Sequence, residues 1–185
     1  MAHPSFWTED AFLVLQASKD RIELWDGGLH VDHGLWVNPS PNNAHNQIAW
    51  LLANQLSAAA RGTGLQTVQG PNLQLSPSLI LTPDIAVGRF GRVTAINRGP
   101  EATLVADVAS PGISAAARAP FYAEARIDWY LLAEPDFATY TTVTLHLLHR
   151  EGTAYLRHTT AQFGQTLTAQ QPFPLTISTT ALLDF

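Results

Sequence analysis

The stretch LTPDIAV, residues 81–87, and the stretch TLVADVASP, residues 103–111, decide the fold and the chemistry expected of this chain. Each is an apolar run of strand type that contains one carboxylate, Asp84 in the first run and Asp107 in the second. An ionised carboxylate in such a run costs several kcal/mol unless a cation or strong hydrogen-bond donors meet it. On neighbouring strands, the two acids would form a hard oxygen-ligand site for Mg²⁺ or Mn²⁺.

Periodicity and turn residues predict a mixed α/β (α+β) fold, with helices on the faces of a central mixed sheet. The N-terminal part is expected to hold a helix and then a short antiparallel meander. The expected helices cover 9–18, 44–60 and 114–126. The expected strands cover 21–25, 29–31, 35–37, 65–69, 72–75, 84–87, 104–109 and 128–133, with a C-terminal hairpin over 140–149 and 153–159 and an edge strand in the tail 166–185. Residues 88–100 are expected to form a loop.

Composition bounds the possible functions. The 185 residues are expected to form one domain, residues 1–185, and the absence of cysteine excludes disulfides, thiolate metal sites and cysteine catalysis. No apolar run approaches the roughly 20 residues that cross a bilayer, and the N-terminus lacks the pattern of a signal peptide, so we expect a cytoplasmic protein without membrane contact. The net charge of −5 argues against indiscriminate nucleic-acid binding.

Several short motifs, in order, resemble those of one known family. Pro83-Asp84 is followed by a strand that ends in Asp107 and by Ser110-Pro111, then by a helix with Arg118 four residues before Tyr122, and then by a strand with the sequence IDWYLL. Upstream, ELWDGGL at 23–29 matches the pattern E-L-x-x-G-x-L. Over residues 12–155, roughly, the chain resembles the Uma-type endonucleases, a domain of unknown function in the restriction-endonuclease-like PD-(D/E)XK superfamily.

The resemblance implies a restriction-endonuclease-like fold and metal-dependent hydrolysis of DNA phosphodiester bonds. It implies that Asp84 and Asp107 bind Mg²⁺ or Mn²⁺, with the backbone carbonyl of Val108 as the third ligand. It further implies that Glu23 assists at the metal, directly or through water, and that Arg118 stabilises the phosphate. Because duplex cleavage needs two sites and the C-terminal hairpin offers edge strands, we expect a homodimer.

Two positions depart from the family pattern. The family has Glu where this chain has Asp107, and Asp is one methylene shorter. It has Lys where this chain has Arg118, and a guanidinium cannot release its proton. Both departures predict weakened activity. They also support an alternative function, in which the chain is a catalytically inactive descendant of the nuclease fold that acts as a binding or self-assembly module.

The individual residues also have simpler interpretations. Asp84 can serve only as a hydrogen-bond acceptor at a turn, Asp107 can pair with Arg118 in a structural ion pair, and Glu23 can face solvent. His45 is expected to cap its helix or lie on the surface, and Ser110 has no base near it in the sequence. A metal site requires the carboxylates of Asp84 and Asp107 to lie within about 5 Å of each other and open to solvent.

Overall fold

The computed structural model describes Phe12 and residues 22–25, 28–31, 42–110 and 115–185. The strand expected at 35–37 lies outside the described residues, as does the helix expected at 9–18 apart from Phe12, which is helical. In the described part of the chain, no helix is long and apolar enough to cross a membrane.

Apart from two short 3₁₀ helices, strands and two α-helices make up the regular structure of the described residues. In chain order they are β1 (Ile22–Trp25), β2 (Gly28–Val31), α1 (Asn43–Ala59), β3 (Gln66–Gln69), β4 (Leu73–Ser76), β5 (Leu79–Leu81), β6 (Ile85–Gly88), β7 (Asn97–Arg98), β8 (Ala102–Val108), α2 (Ala115–Glu124), β9 (Trp129–Pro135), β10 (Val143–Glu151), β11 (Ala154–Ala161), β12 (Thr166–Ala169) and β13 (Leu175–Ser178).

The central sheet has six strands in the order β11-β10-β9-β8-β6-β3. Strands β8 and β9 are parallel, and the other neighbours are antiparallel. A parallel pair needs a crossover connection, and α2 lies in that connection. The predicted central mixed sheet is therefore confirmed, as is the C-terminal hairpin of β10 and β11, whose turn contains Gly152 at a φ of +64°.

Each face of the central sheet has its own core because successive side chains of a strand point to opposite faces. On β8, Leu104 and Ala106 are buried with apolar residues of α1. The intervening Val105 packs with Tyr122 of α2 and Tyr130 of β9 on the other face. A polar residue at position 107 must therefore point toward the face that α2 covers.

A second sheet of five strands, in the order β2-β1-β5-β4-β7, carries the N-terminal hairpin. Two short strands of this sheet were not predicted from the sequence pattern. Strand β5 has three residues, and the two residues of β7, which pair with β4, lie in the segment expected to be a loop. Strand β5 pairs with β1 at Leu24 and Ile80. This pairing brings the β1 residue Glu23 next to Thr82, although the two lie far apart in sequence.

The C-terminal tail differs from the expected edge strand. Strands β12 and β13 pair only with each other, as a separate two-stranded sheet. Leu167, Leu175 and Ile177 join the core that contains α1. The side-chain amide of Gln55 accepts a hydrogen bond from the Ser178 N–H over 2.8 Å and donates to its carbonyl over 3.3 Å. The tail thus covers the α1 side of the sheet instead of extending it.

Candidate active site

The two acids meet where the pairing of β6 with β8 ends. Ile85 and Ala106 are the final registered pair at this end. Beyond it, the Asp84 N–H donates to Asp107 Oδ1 over 3.1 Å, and the Val108 N–H donates to Asp84 Oδ2 over 2.8 Å. Each carboxylate thus accepts a backbone N–H from the strand of the other acid, so that side chains continue the ladder and hold the two acids side by side.

Asp107 is buried against two tyrosines. It is 4% exposed, and the hydroxyls of Tyr122 and Tyr130 both donate to its Oδ2 over 3.2 Å. Burial, followed by the negative charge of Asp107, raises the pKa of Tyr130 well above its ordinary value, so this hydroxyl stays a donor. The expectation that both acids are open to solvent is therefore wrong for Asp107. Asp84 keeps 10% of its side chain exposed.

Arg118 lies between two carboxylates. Its Nη2 is 3.1 Å from Glu23 Oε1 and its Nη1 is 3.8 Å from Asp107 Oδ1, so Glu23 is the closer partner. Burial lowers the pKa of Arg118, but the negative charges of Glu23 and Asp107 outweigh burial and raise it above its ordinary value. The guanidinium therefore stays charged throughout the ordinary pH range.

Glu23 does not face solvent, which excludes the simpler interpretation given to it above. It is 7% exposed, and its Oε1 accepts the Thr82 N–H over 2.9 Å. Arg118 also donates to the Thr82 carbonyl, over 3.4 Å. Since Thr82 lies two residues before Asp84, this network ties the second sheet and α2 to the segment that carries the metal-ligand candidate.

His45 is a further side chain at the site, and the surface or capping role expected for it is wrong. It is 6% exposed, its Nε2 lies 3.5 Å from Asp84 Oδ1, and its Nδ1 lies 3.1 Å from Ser110 Oγ. Ser110 therefore has an imidazole beside it, which the sequence analysis did not predict. The available signal was helical periodicity, because His45 precedes Ile48 and Leu52 on the buried stripe of α1.

Tyr130 is another side chain of the site that the sequence motifs did not single out. Its ring is buried, 5.5 Å from that of Tyr122 between centroids. A buried tyrosine hydroxyl usually finds a hydrogen-bond partner. Tyr130 pairs in register with Val105, two residues before Asp107 on the same face of β8. A partner for this hydroxyl was therefore foreseeable once the strand register was known.

The side chains at this site could bind a small hard cation only through oxygen atoms. Among the described residues, no three His, Cys, Asp or Glu side chains are placed so that together they could hold a metal ion. The adjacent carboxylates of Asp84 and Asp107 offer oxygen ligands alone. Mg²⁺ is usually bound by one or two carboxylates and keeps several waters, so a two-carboxylate site suits it.

Replacing Arg118 by Met should strongly destabilise the fold. The change leaves Glu23 and Asp107 buried without this cation, and breaking a buried pair in this way costs about 3–5 kcal/mol of the free energy of unfolding. Urea denaturation measures the loss. The exposed Arg92→Met serves as the matched control and should change stability by less than about 0.5 kcal/mol. A loss below about 1 kcal/mol for Arg118→Met, as for a surface pair, would contradict this view of the bridge.

Tyr130 should make stability fall at alkaline pH. The unfolded tyrosine releases its proton near about pH 10, whereas the raised pKa keeps the folded one protonated. The folded state then holds one more proton at Tyr130, so this residue leaves the free energy of unfolding unchanged below about pH 10 and lowers it by about 1.4 kcal/mol per pH unit above that pH.

Substitution of Tyr130 by Phe should make the free energy of unfolding fall less steeply with pH, by about 1.4 kcal/mol per pH unit, which is the contribution of one proton. Tyr155→Phe is the matched comparison, because burial also raises the pKa of Tyr155 and its hydroxyl donates to the Ile127 carbonyl over 2.6 Å. Urea titrations at several pH values between about 9 and 11 measure the slopes. Equal slopes in the parent protein and in Tyr130→Phe would show that Tyr130 ionises in the folded state.

Comparison with known proteins gives matches of two kinds, to a solved structure and to a family. A crystal structure titled as a putative nuclease belonging to DUF820, from Anabaena variabilis ATCC 29413, superposes with a TM-score of 0.64 at 16% sequence identity. The match covers 95% of this chain and 97% of the other. At this identity the likeness establishes the fold. No curated protein matches the chain.

The family comparison extends over almost the whole sequence. The model of the Uma2 family, described as "Putative restriction endonuclease", matches residues 9–182. This range contains both acids and every side chain of the hydrogen-bonded cluster around them. The resemblance found in the sequence motifs is thus confirmed, and the chain belongs to the Uma2 family of restriction-endonuclease-like proteins.

Proposed function

We propose that this protein is a metal-dependent endonuclease that hydrolyses the phosphodiester bonds of DNA. The observation that carries the proposal is the pair of carboxylates, Asp84 and Asp107, which backbone N–H groups hold side by side at the end of the β6–β8 pairing. Membership of a restriction-endonuclease-like family supports a nucleic-acid substrate. The nuclease fold of the Anabaena neighbour is consistent with this proposal.

In the proposed site, Asp84, Asp107 and the Val108 carbonyl are the ligands of Mg²⁺ or Mn²⁺. Such an ion, when bound, lowers the pKa of a water molecule and offsets charge on the phosphate. Asp84 is the more accessible of the two carboxylates, at 10% side-chain exposure against 6% for Asp107. We therefore propose that Asp84 is the metal ligand on the solvent side of the site.

Glu23 and Arg118 support these ligands in the proposal. The guanidinium of Arg118 is 3.1 Å from Glu23 and 3.8 Å from Asp107, so it orients the acids. Its side chain is 13% exposed, and we propose that stabilisation of a bound phosphate is a second role of the same positive charge. We propose that Glu23 assists at the metal, either directly or through a water molecule.

A second function has its own support. Asp107 replaces the family's Glu and accepts three hydrogen bonds from Tyr122, Tyr130 and the backbone of Asp84, while Arg118 replaces its Lys and pairs with Glu23. These contacts also suit a structural core in an inactive descendant that acts as a binding or self-assembly module. Metal-dependent cleavage that requires Asp84 would exclude this alternative.

Added Mn²⁺ should stabilise the protein through Asp84. A ligand at about 100 times its Kd stabilises the folded state by about 2.7 kcal/mol, which raises the Tm. Asp84→Asn should abolish both this rise and the Mn²⁺-dependent nicking of supercoiled plasmid DNA. Asp184→Asn, at an exposed position near the C-terminus, is the control and should retain both.

The two measurements separate the two functions. A rise in Tm that depends on Asp84, without nicking of the plasmid, would show that the protein binds the metal and would support the alternative function as a catalytically inactive module. An unchanged Tm in the parent protein, at Mn²⁺ concentrations up to about 10 mM, would count against any metal site of ordinary affinity. Parallel assays with RNA of matched length test the choice of DNA as substrate.

We propose that the chain forms one cytoplasmic domain, residues 1–185, that assembles as a homodimer. Strand β11 ends the order of the central sheet and has eight residues, with Leu156 51% exposed. An edge strand of this length is a template for pairing with a second copy. Light scattering at micromolar concentration should give twice the monomer mass of 20.1 kDa. Substitution of Leu156 by Lys on the edge should shift the protein toward the monomer, and a monomeric parent protein would contradict the proposal.

A further inference from the structure

We infer that His45 is a positioning residue that fixes the carboxylate of Asp84, and that Ser110 sets the tautomer of His45 for this task. The inference rests on the proposed function in one respect, since it takes Asp84 to be the ligand of a divalent cation. The contacts themselves do not depend on that assumption, and they come from three separate parts of the chain.

The first turn of α1 places the imidazole. Asn42 caps this helix, and its side-chain oxygen accepts the His45 N–H over 2.8 Å. Three residues later Ile48 is fully buried in the core against the central sheet. The cap and the buried stripe together fix the rotation of the helix, so the His45 side chain, 7% exposed, is held at the end of the sheet near Asp84.

The two ring nitrogens face different partners. Nδ1 lies 3.1 Å from Ser110 Oγ, and Nε2 lies 3.5 Å from Asp84 Oδ1. In a neutral imidazole one nitrogen carries the proton and the other accepts. When the Ser110 hydroxyl donates to Nδ1, the proton lies on Nε2 and faces a carboxylate, which can only accept when ionised. The opposite tautomer would place the lone pair of Nε2 against the negative carboxylate.

Asp84 is then held on both oxygens. Oδ2 accepts the Val108 N–H over 2.8 Å, and Oδ1 faces the imidazole. Contacts on both sides restrict the rotation of the carboxylate about its χ2 torsion, which is otherwise broad. A carboxylate held in one orientation binds a cation without losing that freedom. Groups that orient a metal ligand in this way change metal affinity or activity by about 10–100-fold when they are removed.

Two substitutions of His45 test the contributions of its two ring nitrogens separately. The amide nitrogen of Gln reaches as far as Nε2, whereas that of Asn reaches only as far as Nδ1. Isothermal titration with Mn²⁺ should therefore show that His45→Asn raises the Kd about 10–100-fold and that His45→Gln stays within about threefold of the parent protein. His158→Asn, at an exposed histidine of β11, is the control and should leave the Kd unchanged.

The titration can also overturn the inference. Unchanged Mn²⁺ affinity in His45→Asn would do so, and so would an equal loss in His45→Asn and His45→Gln while both variants remain folded by circular dichroism. Rescue by Gln distinguishes positioning of Asp84 from a general packing role, since Gln restores the donor and does not restore the shape of the ring.

A second measurement works even when the parent protein binds no Mn²⁺, a result that would defeat the proposed function alone. The ¹⁵N chemical shifts of the neutral His45 ring report its tautomer. We expect the proton on Nε2 in the parent protein and a mixture of tautomers in Ser110→Ala. A proton on Nδ1 in the parent protein, or an unchanged tautomer in Ser110→Ala, would overturn the assignment made to Ser110.

Discussion

The site depends on two hydrogen bonds from backbone N–H groups to carboxylates, from Asp84 to the side chain of Asp107 and from Val108 to the side chain of Asp84. An antiparallel ladder normally ends in unpaired N–H groups, and buried N–H groups need partners. Here the N–H of Asp84 and the N–H of Val108 are satisfied by the two carboxylates across the strand boundary. One arrangement therefore ends the ladder, fixes the register of the two strands and concentrates negative charge.

The second constraint is the ion pair that joins the two sheets. Glu23 belongs to the five-stranded sheet, Arg118 belongs to the helix that crosses between two strands of the other sheet, and Thr82 lies on the connection between them. A bridge of this kind contributes little net stability, because desolvation of both charges offsets their attraction. Its effect is geometric. It sets where α2 lies over Asp107, and with α2 it sets the position of the Tyr122 hydroxyl.

Much of this fold follows from local pattern, and much of the site does not. The lone acids in apolar strands, the long helix of α1 and the hairpin around Gly152 are readable because each has a periodicity or a turn residue of its own. Strand β5 has three residues, too few to show a period of two. His45 reaches Ser110 across 65 residues of sequence, a contact that no local signal encodes. The bulk of the architecture is thus predictable, while the partners of each acid depend on tertiary packing.

The two departures from the family pattern fit each other physically. The shorter acid at position 107 lies beside the hydroxyls of Tyr122 and Tyr130, which both donate to its Oδ2. Lysine presents a compact charge, whereas the planar fork of arginine can contact two acceptors at once. Arg118 uses this reach, with Nη2 toward Glu23 and Nη1 toward Asp107. Because the guanidinium contacts both Glu23 and Asp107, it can hold the Asp107 carboxylate in place even though this side chain is one methylene shorter than Glu. In the proposed function, cleavage would therefore require that Asp84, held by the Val108 N–H and facing His45, present its exposed side to the divalent cation.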